Sequence, residues 1–126
     1  MKTDFPIAMD APPEDSASEF MLRARAAERP ADPLITCLLP AFNEEGNILP
    51  MLDTLHTLMT DLGLRHELIV VDDGSRDATV ERVMSVMDDL PVTLVQLSRN
   101  FGKEIALTAG IAEAKGDLAI LIDSDF

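Results

Sequence analysis

Tryptophan and tyrosine are absent from this chain, and five phenylalanines bring its aromatic content to only 4%. That argues against a nucleic-acid surface built on stacked rings. Basic residues are also scarce, with ten Lys and Arg against 23 Asp and Glu and a net charge of −13 at pH 7. Phosphate backbones recruit Lys and Arg, so nucleic acid is not an expected partner. Cys37 is the only cysteine, which rules out an internal disulfide and fits a reducing compartment. It lies within Leu34-Ile35-Thr36-Cys37-Leu38-Leu39 and reads as a small core residue rather than a reactive thiol. No run approaches the roughly 20 apolar residues of a membrane span. Lys2 is followed by prolines and acids rather than by the apolar stretch of a signal peptide. The chain as given is therefore expected to be cytoplasmic.

What remains is acidic and aliphatic. Hydrophobic residues make up 47% of the 126, enough for one domain with a real core. The acids are spread along the chain, so most belong to a solvated surface. For any that converge, a divalent cation is the natural partner. Residues 1–33 carry Pro6, Pro12, Pro13, Pro30 and Pro33 with scattered charge and read as a flexible leader. Residues 20–27 within it have the composition of a short helix.

From Leu34 onward the pattern alternates. Residues 34–39 are a buried strand. A helix then starts near Asn47, with Ile48, Leu52, Leu55, Met59 and Leu62 at spacings of four and three. Pro50 is tolerated in its first turn, and Gly63 ends it. Residues 67–71 form the second strand. Asp77 is the expected N-cap of a helix buried through Val80, Val83, Met84 and Met87, which Pro91 breaks. Residues 92–97 are the third strand. Residues 103–114 form a helix whose Ala106, Ala109, Gly110 and Ala112 allow close packing on a sheet, and Gly116 ends it. Residues 118–122 are the fourth strand. Continuously apolar strands alternating with helices predict an α/β fold: a parallel sheet covered on both faces, with right-handed crossovers.

Each strand runs out into polar residues. In an open α/β sheet ligands bind beyond the carboxyl ends of the strands, so these four segments read as one site. Pro40-Ala41-Phe42-Asn43-Glu44-Glu45 supplies a rigid turn, a ring able to flank a base, and acids near a helix start. In Asp72-Asp73-Gly74-Ser75, Gly74 permits a sharp turn at positive φ, while Ser75 and Asp77 are placed to cap the next helix. Adjacent acids at the end of a buried strand are costly without a partner. A carboxylate there suits a base N–H or a ribose hydroxyl. Ser98-Arg99-Asn100-Phe101-Gly102-Lys103 gathers two of the six basic residues that follow Leu34, and two cations suit a diphosphate as well as a surface ion pair. Asp123 and Asp125 are two apart and share one side of an extended segment. Their hard oxygens suit Mg²⁺ or Mn²⁺, although two solvated acids in a turn would read the same way. His56, on the first helix, and His66, before the second strand, read as structural or exposed.

Taken in order and spacing, these motifs resemble the family 2 glycosyltransferases, and especially the branch that charges polyprenyl phosphates, dolichyl-phosphate mannosyltransferase and its bacterial relatives. Leu97-Ser98-Arg99-Asn100-Phe101-Gly102-Lys103-Glu104 is the most branch-specific string. Pro-Ala-Phe-Asn-Glu-Glu and Val-Asp-Asp-Gly-Ser are typical of the wider family. The resemblance runs from about Leu34 to Phe126. It implies a GT-A, Rossmann-like fold and a nucleotide-sugar donor carrying UDP or GDP. It also implies that Pro40, Ala41, Phe42 and Glu44 line a nucleoside pocket, and that Asp72 and Asp73, with Gly74 and Ser75, contact base or ribose. Arg99 and Lys103 would meet the diphosphate, and Asp123 and Asp125 would hold Mg²⁺ or Mn²⁺. A polyprenyl-phosphate acceptor would place the full-length enzyme at the cytoplasmic face of the membrane, in cell-envelope chemistry. Its oxygen is already anionic, so a general base is less necessary, and no residue is an obvious candidate.

The chain departs from the family in two ways. The metal motif reads Asp-Ser-Asp where Asp-Ala-Asp is usual, which keeps both carboxylates. The family also continues well beyond this motif, so the chain reads as the donor-binding N-terminal part of an inverting enzyme, incomplete at the C-terminus. Its sheet would then have an unfinished edge that invites self-association. The rival readings are a saccharide acceptor, a fragment that binds nucleotide without catalysis, and a phospho-acceptor receiver domain. The last expects an Asp after the third strand, where this chain has Ser98-Arg99.

Overall fold

The computed structural model describes residues 32–123. The flexible leader expected over 1–33, including the segment 20–27 with the composition of a short helix, therefore lies outside the described residues, apart from Asp32 and Pro33. The order is β1 (Leu34–Ala41), α1 (Ile48–Asp61), β2 (Arg65–Asp72), α2 (Thr79–Met84), β3 (Val92–Gln96), α3 (Lys103–Glu113) and β4 (Leu118–Leu121). The four strands form one parallel sheet in the order β3-β2-β1-β4. Strand order reverses between β1 and β4, which makes the crevice at their carboxyl ends a topological switch point.

The alternation of side chains along β1 and β2 builds two cores. Ile35, Cys37 and Leu39 of β1 and Leu68 and Val70 of β2 pack with Ile48, Met51, Leu52 and Met59 of α1 and Val83 of α2. Leu38, Ile69 and Val71 face the other way and pack with Ala106 of α3. Leu39, Leu52, Leu68, Ile69 and Val70 are fully buried, each contributing about 1.5–3 kcal/mol of hydrophobic stabilisation. Ala106, Ala109 and Gly110 of α3 lie against the sheet as expected, whereas Ala112 is exposed. A Cβ on Gly110 would approach the Leu38 and Val71 side chains to 2.9 Å, so this helix rides close on the sheet.

Local chemistry sets the ends of α1. Pro50 is its third residue, where its missing N–H has no intrahelical partner to lose. Gly63 adopts φ 71°. The Gly63 amide donates to Thr60 O at 3.0 Å and the Leu64 amide to Met59 O at 2.9 Å, a Schellman closure. Leu62 falls outside the helix and is exposed, not part of its buried stripe as the periodicity predicts.

Three other expectations are corrected. The second helix stops at Met84, and Met84 and Met87 are both exposed. β-branched Thr79, Val80, Val83 and Val86 favour helix only weakly, and the chain tightens into three-residue turns from Val86 N to Val83 O. Ser75 does not cap this helix. The N-cap position is Ala78, which has no side-chain bond. Finally, β4 is not buried on both faces. All four of its residues are exposed, because β1 is its sole strand partner among the described residues.

A polar lock ties the loop between α3 and β4 to β1 and β2. The Thr36 hydroxyl donates to Glu67 Oε2 at 2.6 Å and accepts from the Gly116 amide at 2.9 Å, and the Lys115 amide donates to the same Glu67 oxygen at 2.7 Å. Thr36 is fully buried, so this pairing satisfies groups that would otherwise be costly inside the sheet.

Candidate functional site

The loop after β1 and the loop after β2 are stitched together. The Asn43 amide donates to Ser75 Oγ at 2.8 Å, and the Arg76 amide returns a bond to Asn43 Oδ1 at 2.8 Å. The Glu44 amide donates to Thr79 Oγ1 at 2.8 Å, and the Glu45 amide to Asp77 Oδ2 at 3.2 Å. The Ala78 amide reaches back to Glu45 Oε1 at 2.9 Å. Asn43 sits at φ 53°, a left-handed conformation that Asn tolerates better than most residues. Asn43 and Glu45, part of the first motif but not among its expected nucleoside contacts, and Thr79, which no motif includes, are thus builders of the site. Only the Asn in the left-handed turn gave a usable signal, since Asn and Asp side chains commonly bond to nearby backbone.

Asp77 is held at one end of this seam. Partial desolvation pushes its carboxyl up, but bonds from the Thr79 hydroxyl and amide and the Glu45 amide outweigh that and hold it below the usual carboxylate range. Asp77 therefore caps in substance, since its Oδ1 accepts the Thr79 amide at 3.0 Å from one residue before the N-cap position.

Asp72 and Asp73, both buried, have different surroundings. Asp73 accepts the Phe101 amide on Oδ1 at 2.7 Å and the Gly102 amide on Oδ2 at 3.0 Å. It fixes the loop after β3 from beneath. Asp72 accepts the Ser75 amide on Oδ2 at 3.0 Å, while its buried Oδ1 has no hydrogen-bond partner among the described residues. Gly74 lies between the two loops at φ 78°, and a Cβ there would overlap the backbone of Arg99 and Asn100. The expected sharp turn is present, and close approach of a second backbone is a further reason for glycine.

The remaining segments are more open. Pro40 and Ala41 are buried at the end of β1, while Phe42 is exposed and Glu44 half-buried, with Glu44 Oε1 accepting from Asn47 Nδ2 at 3.2 Å. The Arg99 guanidinium lies 4.8 Å from the Phe101 ring centroid, a cation–π contact. Lys103, the first residue of α3, places Nζ 3.2 Å from Asp123 Oδ2, just past β4. The two cations of one motif therefore have different immediate partners.

Asp123 presents a half-exposed carboxylate at the switch point, and a hard oxygen donor there fits a hard divalent cation. Asp125, the expected second donor, lies outside the described residues. Among the described residues no three His, Cys, Asp or Glu side chains converge as a metal-ligand set. No helix among them is long and apolar enough to cross a membrane. His56 and His66 sit at the other end of the sheet, in contact with each other.

Comparison with known proteins gives this geometry a family. An uncharacterized glycosyltransferase of Synechocystis is 40% identical over 92 residues, which cover 72% of this chain and 29% of that protein. The undecaprenyl-phosphate 4-deoxy-4-formamido-L-arabinose transferase of Pseudomonas aeruginosa is 35% identical over 94 residues, 73% of this chain and 28% of its own length. The dodecaprenyl-phosphate galacturonate synthase of Rhizobium johnstonii is 38% identical over 93 residues, with coverage of 72% and 28%. Two solved structures share the fold. A mannosyltransferase of Pyrobaculum calidifontis in complex with GDP-Man and Mn²⁺ matches at TM-score 0.63 and 28% identity, over 86% of this chain and 34% of that one. The glucosyl-3-phosphoglycerate synthase of Mycobacterium tuberculosis, in complex with Mn²⁺, UDP and glucosyl-3-phosphoglycerate, matches at TM-score 0.61 and 34% identity, with coverage of 82% and 36%. The chain spans under a third of the length of these three curated relatives. The Glycosyl transferase family 2 model matches residues 36–126, nearly all of the sheet and its strand-end loops, and the chain belongs to that family.

Proposed function

We propose that residues 34–126 are the donor-binding part of an inverting, metal-dependent glycosyltransferase that moves a sugar from a nucleotide sugar to a polyprenyl phosphate. The observation that carries this reading is the meeting of three strand-end loops around buried acids beside the switch point. Asp73 holds the Phe101-Gly102 turn, Gly74 lets that loop close over β2, and Asp72 keeps an unpartnered acceptor beneath them. A buried carboxylate oxygen without a donor costs about 1–3 kcal/mol, which a ligand N–H or O–H would recover.

In this reading Pro40, Ala41, Phe42 and Glu44 border the nucleoside, and Asp72, Asp73, Gly74 and Ser75 form the floor for base and ribose. Because both Asp73 oxygens already accept loop amides, Asp72 is the better donor-contacting acid of the pair. Arg99 and Lys103 face the diphosphate. Asp123, with Asp125, would hold Mg²⁺ or Mn²⁺. When bound, the cation would supply Lewis-acid charge for the departing nucleoside diphosphate. Lys103 neutralises Asp123 here and is placed to serve the diphosphate instead.

The lipid acceptor rests on the two prenyl-phosphate relatives. Its phosphate oxygen is anionic, so the part described here needs to orient the donor rather than to abstract a proton. The full-length protein would then work at the cytoplasmic face of a membrane. The exposed edge of β4 also makes self-association part of this reading.

The test is calorimetry with UDP and with GDP, each with and without Mn²⁺. Metal-enhanced binding of one nucleotide is expected, and Asp125→Ala should lose the enhancement while keeping the fold. Equal weak heats with and without Mn²⁺ would sink the metal-dependent donor site.

A further inference from the structure

At the amino end of the sheet, about 20 Å from the strand-end loops at the strand rise per residue, two imidazoles face each other. His56 projects from α1, and His66 is the second residue of β2. His56 Nδ1 and His66 Nε2 are 2.9 Å apart, with ring centroids 5.0 Å apart and planes inclined by 49°. They are the only histidines in the chain.

We propose that His56 and His66 form a two-imidazole site for a borderline transition-metal dication such as Zn²⁺ or Ni²⁺, distinct from the Mg²⁺ or Mn²⁺ role assigned to the strand ends. The tautomers favour it. His66 Nδ1 lies 2.9 Å from the Leu64 carbonyl oxygen, which can only accept, so Nδ1 carries the hydrogen. His66 Nε2 is thereby left as a lone pair aimed at His56. A carbonyl that fixes one ring nitrogen and frees the other is the usual outer support of a histidine metal ligand. In the metal-free pair, His56 Nδ1 donates to that lone pair. A dication replaces this one hydrogen: His56 shifts its proton to Nε2, and both facing nitrogens become donors to the ion. Zn–N bonds of about 2.0–2.1 Å at a tetrahedral angle need the nitrogens a few tenths of an ångström further apart than they stand, and both rings turned so that their lone pairs meet at the ion rather than at each other.

Access and charge also agree. A groove lined by Leu34, Thr60, Gly63, Leu64, Arg65 and His66 opens beside the pair. Arg65, the nearest cation in sequence, is turned to Asp32, with its guanidinium 2.7 Å from the Asp32 carbonyl and 3.7 Å from its carboxylate. With two protein ligands among the described residues, water would complete the shell. The ion would clip the third turn of α1 to the start of β2.

The full chain, free of any affinity tag, is titrated with ZnCl₂ and separately with NiCl₂ while the two imidazole resonances are followed by NMR. Both should move or broaden together and saturate at one ion per chain, and EDTA should reverse the change. His56→Gln and His66→Gln should each abolish the response of the remaining ring, with circular dichroism confirming the fold, whereas Asp123→Asn should leave it intact. Zn²⁺ should also raise the wild-type Tm, a readout that needs no variant. The proposal fails if neither ring responds to millimolar metal, if the rings respond independently, or if either Gln variant still saturates.

Discussion

The two flanks of the sheet's carboxyl end are built differently. On the β1–β2 side, five hydrogen bonds join two loops, and two buried acids lie beneath. On the β4 side, a strand of exposed residues leads to one carboxylate paired with one lysine. The first flank is organised by the chain's own bonds. The second holds charge that an anionic diphosphate and a cation would reorganise. In the donor-site reading proposed above, the first flank would select the nucleoside and the second would leave phosphate contacts to form on binding.

Mutations should separate the flanks by size of effect. Gly74→Ala forces a Cβ into the Arg99-Asn100 backbone at positive φ and is expected to cost about 2–4 kcal/mol, read as a drop in the urea midpoint. A change under about 0.5 kcal/mol would show that the two loops separate freely, and the contrast would lose its first half. Asp73→Asn removes the charge from two amide bonds and should cost about 1.5–3 kcal/mol in the same assay.

Asp123→Asn breaks a pair whose side chains are 50% and 55% exposed. It should change stability by less than about 1 kcal/mol while abolishing the Mn²⁺ enhancement of nucleotide binding. A large stability loss there would mean that the β4 flank is as tightly built as its neighbour.

The smallest effect is in pH. The Asp77 carboxyl is held below its usual range, so its contribution is fully present above the unfolded pKa and is lost as pH falls through the lower folded one. Asp77→Asn should therefore lower stability slightly at neutral pH, where the charge contributes, and flatten the acid limb below about pH 4, where wild type loses that contribution. An unchanged acid limb would show that the seam does not depend on this charge.

Much of this was legible in residue order. The apolar runs before Pro40, Asp72 and Asp123 located three strands, and Pro50 with Gly63 marked the ends of α1. The site was legible as types and positions, because chemistry-bearing residues stood where strands end. Their partners were not. Nothing in Asp72-Asp73 says which acid holds a loop and which keeps an idle oxygen. That depends on where Phe101 and Gly102, some thirty residues on, bring their amides. Met84 and Met87 misled because a periodic apolar pattern cannot show how little sheet lies above a six-residue helix.

By itself the sequence determined the alternation of strand and helix, the parallel sheet and the polar strand ends, because those follow from hydrophobic period and from residues with restricted backbone freedom. Only the tertiary structure decided the division of labour between Asp72 and Asp73, the pairing of Lys103 with Asp123, and the meeting of His56 with His66. Each depends on contacts between residues distant in the chain, and such distances are set by packing rather than by neighbours in sequence.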